Sequence, residues 1–303
     1  MPGTRVSVRR LWDLHRQALE LDVLAGGAVG SLFPGAWRSR FRGRGIEFDE
    51  VRPYQWGDDF RILDWKVTAR TGEMHTKLFH EERERTLWLV LDAGPGMHFG
   101  TRNCFKWVRA AEVAALFAWL TREQGDRVGV LVHGDARRCH VLPRSGGEAG
   151  LSKCFGLLAR IHPRDSSPRC GLADALGHLR RLARPGSLML IIGDFQALDM
   201  AAERHLAHLA RHGELAAVQV FDPLEQALPE SGHYPVSDGA GNYAGLLDAS
   251  DPALRRRWRL RFQEHQGRVA GLFSRFGARS LQVGTGDRLL ETTLREQLGP
   301  RAA

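Results

Sequence analysis

The chain has 303 residues, 43% of them hydrophobic and 26% charged, with a formal net charge of +8, a composition that builds one large or two small soluble domains around a sizeable core. It contains no run of about 18 apolar residues, which excludes an apolar membrane-spanning helix. The stretch Leu19–Trp37 carries Glu20 and Asp22 and is broken by Gly26, Gly27, Gly30 and Pro34, and it lacks the compact apolar core and cleavage site of a secretory leader; a cytoplasmic location is the expectation.

In chain order, Val8, Leu11, Leu14, Leu19 and Leu21 fall near helical spacing and predict an amphipathic helix ended by Gly26 and Gly27. A charged run follows, FRGRGIEFDEVRPYQWGDDFRILDWKVTART, from Phe41 to Thr71. Within it, Ile46, Phe48 and Val51 alternate with acids as in a short strand. Gly57, Asp58 and Asp59 read as a turn, with Asp58 capping a helix whose apolar face includes Phe60, Leu63 and Val67.

From Thr86 the pattern becomes strands alternating with helices. Leu87–Ala93 and Ser187–Phe195 are continuous apolar runs, as expected of strands buried on both faces. Cys104–Gly125 is a long apolar helix, Arg127–Gly134 a strand, and Arg137–Pro143 an antiparallel neighbour of it. Helices are expected over Glu148–Arg160, Leu172–Ala183, a stretch running through His212, and Pro252–Phe276. Further strands are expected at Leu215–Pro223 and Ala278–Gly286, a hairpin-like insert around Ser237-Asp238-Gly239, and a last helix over Asp287–Leu298. This alternation implies an α/β fold: an open, mostly parallel sheet covered by helices on both faces, preceded by an N-terminal α/β segment. The sequence boundary falls at 80/81, giving a segment 1–80 and a sheet domain 81–303.

The run from Phe41 to Thr71 closely resembles the signature of the bacterial domain-of-unknown-function family fifty-eight. That resemblance implies a following von Willebrand factor A-like domain, a class that binds partners. It also implies pairing with a MoxR-type AAA+ ATPase, the present chain serving as adaptor or co-chaperone in maturing or remodelling an unknown client. The docking candidates are Arg44, Glu47, Tyr54, Asp58, Asp59, Arg61, Asp64 and Trp65, since Arg and aromatic residues are common interface anchors. The same alternating charges equally suit a network of bidentate Arg–carboxylate pairs that fixes the segment.

In open α/β sheets ligands bind beyond the carboxyl ends of the strands, and Asp92 and Asp194 stand at two such ends. The resemblance implies a metal-ion-dependent adhesion site there, with Ser, Thr and Asp oxygens around Mg²⁺. Here Gly94 and Gly96 replace the two serines, and Cys170 or Gly171 falls at the Thr position. The site is therefore expected to be degenerate, with Asp92 and Asp194 binding a divalent cation weakly or not at all, and no cofactor is expected. Capping at strand ends is the other reading of these aspartates.

Cys104, Cys139, Cys154 and Cys170 form no Cys-x-x-Cys pair and are expected to be reduced, small buried residues. No Walker loop and no Gly-x-Ser-x-Gly elbow occurs. The reading is thus a non-enzymatic interaction protein. Two other classes stay open: a metal-dependent hydrolase, which needs further ligands near Asp92 and Asp194, and an Arg-rich nucleic-acid-binding protein, whose affinity would fall steeply with salt.

Overall fold

The computed structural model describes residues 3–24, 28–33, 42–43, 47–56, 60, 63–80, 85–135, 138–161, 170–237 and 244–299. The expected first helix is broken into α1 (Val8–Asp13) and α2 (His15–Leu24), followed by α3 (Ala28–Leu32). Ser7 starts α1 by accepting a hydrogen bond from Arg10 N, and Leu14, still right-handed at φ −72° and ψ −8°, forms the turn between α1 and α2. Gly26 and Gly27, the expected stop, lie outside the described residues.

The signature segment forms β1 (Arg42–Gly43), β2 (Glu47–Pro53), α4 (Trp65–Thr71) and β3 (His75–His80). Its strands make a small antiparallel sheet in the order β1-β3-β2, with a bulge in β2 between Phe48 and Glu50. The strand expected here is present. The helix starts later than expected, because Leu63 is held in a bridge to Thr76 and Asp64, not Asp58, is the N-cap. The Asp64 carboxylate accepts from Lys66 N and Val67 N at 3.0 and 3.1 Å, satisfying two of the amides that a helix start leaves open. Gly72, at φ +78°, closes α4 in the left-handed conformation that a side chain would disfavour.

The remainder runs β4 (Thr86–Asp92), α5 (Lys106–Glu123), β5 (Arg127–His133), β6 (His140–Ser145), α6 (Gly147–Arg160), α7 (Leu172–Leu182), β7 (Leu188–Gly193) and α8 (Met200–Ala210). It continues through β8 (Glu214–Phe221), α9 (Pro223–Gln226), a hairpin of β9 (His233–Ser237) and β10 (Ala244–Asp248), then α10 (Pro252–Arg275), β11 (Arg279–Gly284) and α11 (Leu290–Leu298). Six strands form one sheet in the order β11-β8-β7-β4-β5-β6, all parallel except the edge strand β6.

The reason for two-sided burial is visible along β4. Leu87, Leu89 and Leu91 enter one core with α5, α6 and α11, while Trp88 and Val90 enter the other with α7, α8 and α10. Alternation on a strand sends successive side chains to opposite faces, so a strand covered twice must be apolar throughout.

The chain divides into two compact units, Met1–Ala36 with Arg85–Ala303, and Trp37–Glu84. The boundary at 80/81 therefore misplaces the N-terminal helices, which belong with the large sheet. Helix α5 explains why. Every residue from Lys106 to Thr121 is buried, and a helix buried all round needs cover on both sides. The sheet supplies one side. The other is supplied by Leu11, Leu14, Ala18 and Leu21 in the same core, by Trp12 packed edge-on at 5.2 Å from Trp119, and by Trp119 Nε1 donating to Leu11 O at 3.1 Å. Arg10 adds an ion pair to Glu112 at 3.1 Å, and Glu112 in turn holds Arg109 at 3.0 Å.

Candidate functional site

The sheet reverses its winding between β4 and β7, since β5 and β6 lie to one side of β4 and β8 and β11 beyond β7. A crevice at such a switch point is where ligands of open α/β sheets bind. Asp92 ends β4, and Asp194 follows β7 directly. Both expected residues reach this edge.

Asp92 Oδ1 accepts from Gly94 N at 2.7 Å, and His133 Nδ1, at the end of β5, stands 3.9 Å from the same oxygen. Burial pushes the Asp92 carboxyl above its ordinary value, and neighbouring Asp194 adds to the rise against the opposing pull of His133. Asp194 makes three contacts. Its Oδ1 accepts from Gln196 N at 3.0 Å, its backbone carbonyl accepts from His265 Nε2 at 2.8 Å, and its Oδ2 accepts from Lys106 Nζ at 3.0 Å. The next residue, Phe195, adopts φ +58°, the one described non-glycine residue in that region. An aromatic side chain there is strained, and packing of its ring edge-on to Phe273 at 5.5 Å holds it in place.

Lys106, the first residue of α5, was not foreseen as a site residue. Its ammonium lies between Asp194 and Glu225, 2.7 Å from Glu225 Oε1, with 1% of its side chain exposed. Burial works against its charge, but the two carboxylates outweigh that and hold its pKa above the usual lysine value. Glu225 also accepts from Asp222 N at 2.8 Å through Oε2, completing a capping box on the short helix α9. Asp222 is itself fully buried and binds Thr101 N, Leu224 N and the hydroxyls of Thr101 and Thr285. Those hydrogen bonds pull its carboxyl below the ordinary value although burial alone would raise it. The sequence carried a signal for this cluster: Asp222-Pro223 followed by Glu225 is a capping-box pattern.

The implied metal site does not fit these residues. A Cβ on Gly96 would stand 2.8 Å from Asp194 Oδ2, and one on Gly94 would stand 3.0 Å from Asp92 Oδ1, so the loop runs close against both carboxylates and a side chain at either position would have to displace a carboxylate oxygen. Cys170, one of the two residues expected at the Thr position, is joined to Cys139 in a disulfide with Cα atoms 5.6 Å apart. This corrects the expectation of four reduced thiols. The fold brings the residue just before β6 beside the one two positions before α7, a proximity that the 31-residue separation hides. Cys154 is buried and free, and Cys104 is half-buried and free. Among the described residues no group of three or more His, Cys, Asp or Glu is arranged to hold a metal ion.

In the signature unit, Asp64 serves as the helix cap, Trp65 is 68% exposed, and half-buried Tyr54 stacks on Phe60 at 5.3 Å. Glu47 begins β2 opposite His80. Arg44, Asp58, Asp59 and Arg61 lie outside the described residues. Trp56, Phe60 and Met74 are also exposed.

Residues 50–268 match the family described as protein of unknown function DUF58. The chain belongs to the DUF58 family. Protein Rv1480 of Mycobacterium tuberculosis is 32% identical to this DUF58 chain over 284 residues, spanning 94% of it and 86% of the relative. Among solved structures, BatB from Bacteroides thetaiotaomicron overlays 71% of this chain and 97% of its own, at 14% identity and a TM-score of 0.45. A von Willebrand factor type A protein from Catenulispora acidiphila overlays 74% of this chain and 43% of its own, at 10% identity and a TM-score of 0.39. Membership rests on the sequence match, and the fold assignment on the strand order described above. No helix among the described residues is long and apolar enough to cross a membrane.

Proposed function

We propose that this DUF58 protein is a non-enzymatic interaction protein, an adaptor or co-chaperone that couples a MoxR-type AAA+ ATPase to a client undergoing maturation or remodelling. The observation that carries the reading is the apolar surface of the signature unit. Trp56, Phe60, Trp65 and Met74 are all exposed there, with Trp56 fully so. Large side chains left in water on so small a unit are the usual mark of a surface that a partner covers. Supporting a role without turnover, the charged groups at the sheet edge are engaged with one another: Lys106 with Asp194 and Glu225, and Asp222 with Thr101 and Thr285.

The test is an affinity capture from native lysate with ATP and Mg²⁺, using wild type and a Trp56→Ala/Trp65→Ala variant. Recovery of an AAA+ ATPase by wild type and its loss in the variant is the expected result. Recovery of nucleic acid alone, or of the same proteins by both chains, would remove the reading. A cytoplasmic setting is part of the proposal. The Cys139–Cys170 disulfide is of a kind rare in that compartment, and trapping free thiols at lysis measures its redox state in the cell directly.

A further inference from the structure

We propose that Lys106 is the resident cation of the sheet-edge site, neutralising Asp194 and Glu225 as a divalent ion neutralises the carboxylates of hydroxyl-bearing sites in this architecture, so that the site holds together without metal. Four observations carry the assignment.

The first is placement. The Lys106 ammonium is 3.0 Å from Asp194 Oδ2 and 2.7 Å from Glu225 Oε1, bridging the loop after β7 to the short helix α9 that follows β8. Bridging carboxylates from separate strand ends is what a cation does at such an edge. The second is local electrostatics. Lys106 opens α5, where the helix dipole is positive and repels a cation. It is also fully buried, which penalises its charge further. Neither helix formation nor core packing calls for a lysine there; the two carboxylates do.

The third is the choice of residue. Of 43 basic residues in the chain, only Lys66, Lys77, Lys106 and Lys153 are lysine. A guanidinium is planar and wide, whereas an ammonium is a compact point charge on a flexible stem, the side chain nearest in form to a bound ion. The fourth is the loop itself. With glycine at 94 and 96, the backbone lies so close to Asp92 and Asp194 that even a Cβ at 96 would meet Asp194 Oδ2 at 2.8 Å. The loop supplies no hydroxyl ligands and lies against the acidic side chains, which are left to be neutralised by another group.

The role assigned to Lys106 stands apart from the adaptor reading and fails separately from it. The experiment is a Mn²⁺ titration of the full chain, free Mn²⁺ being followed by electron paramagnetic resonance. Wild type is expected to show no saturable site tighter than about 100 μM. Lys106→Met should gain one site at least tenfold tighter than wild type, held by the two carboxylates that now face the ammonium, Asp194 and Glu225, and Lys106→Met/Asp194→Asn should lose it again. Saturable Mn²⁺ binding by wild type that Asp92→Asn abolishes would overturn the proposal, as would a folded Lys106→Met that gains no site. If Lys106→Met does not fold in metal-free buffer, refolding in Mn²⁺ decides. Recovery of native near-ultraviolet dichroism only with Mn²⁺ supports the assignment, and failure to recover overturns it.

Discussion

Lys106 Nζ and Asp194 Oδ2 meet at 3.0 Å although 88 residues separate them, and both side chains are almost wholly excluded from water. Removing one partner of such a pair leaves a buried charge uncompensated, at a cost of about 3–5 kcal/mol. Lys106→Met should therefore lower the urea midpoint far more than Arg16→Ala, which breaks an exposed pair with Glu20 on α2 and should cost less than about 1 kcal/mol. Equal effects in urea unfolding at neutral pH would contradict the picture of a buried ion pair.

Asp222 supplies a pH dependence of definite sign. Its carboxyl is held below the ordinary value of 3.8 by hydrogen bonds that outweigh burial. Its contribution is therefore fully present above that value and is lost as pH falls through the depressed folded one. Asp222→Asn should be less stable than wild type at pH 7, with the difference shrinking below about pH 4. Urea midpoints measured from pH 3 to pH 7 give the comparison; a constant gap would mean that the carboxylate charge is not what the threonines stabilise.

The Cys139–Cys170 disulfide predicts a thiol count. Unfolded without reductant, the chain should react with a thiol reagent at two positions, Cys104 and Cys154, and after reduction at four. For a closed loop of this length, reduction should remove about 3–4 kcal/mol of stability. Four reactive thiols without reductant would show that the bond is absent.

Gly134 sits at φ +93°, and a Cβ there would lie 2.5 Å from Gly94 N and 2.8 Å from Asp92 Oδ1. Gly134→Ala should combine backbone strain with a clash in the switch-point loop and cost about 3 kcal/mol or more. Gly147, at φ +64°, has open space around it, so Gly147→Ala carries only the strain, about 1–2 kcal/mol. Thermal unfolding of the two variants should separate them in that order.

Trp56→Ala and Trp65→Ala should leave stability within about 0.5 kcal/mol of wild type, because both side chains are exposed. A large fall in melting temperature for either would assign it to the structure of the signature unit and take it away from partner docking.

Much of this protein can be read from its residues because burial on two faces constrains sequence locally. The apolar runs Leu87–Leu91 and Leu188–Ile192 specify central strands, and Asp92 and Asp194 mark their ends at the switch point. The helix starts were less legible: Asp58 and Asp64 are chemically equivalent caps, and the Leu63–Thr76 bridge selected between them. Glycines at 94 and 96 told of missing hydroxyl ligands, yet not of what stands beside the carboxylates.

What only the tertiary structure decided are relationships between residues distant in the chain. A lysine opening an apolar helix has no local mark of its partners, and its meeting with Asp194 and Glu225 comes from the start of α5, the loop after β7 and helix α9 gathered at one sheet edge. The pairing of Cys139 with Cys170 and the packing of the N-terminal helices on α5 have the same origin. Local pattern fixes which face of an element is apolar; which elements then share a core, and which charges are brought together out of water, is set by chain topology.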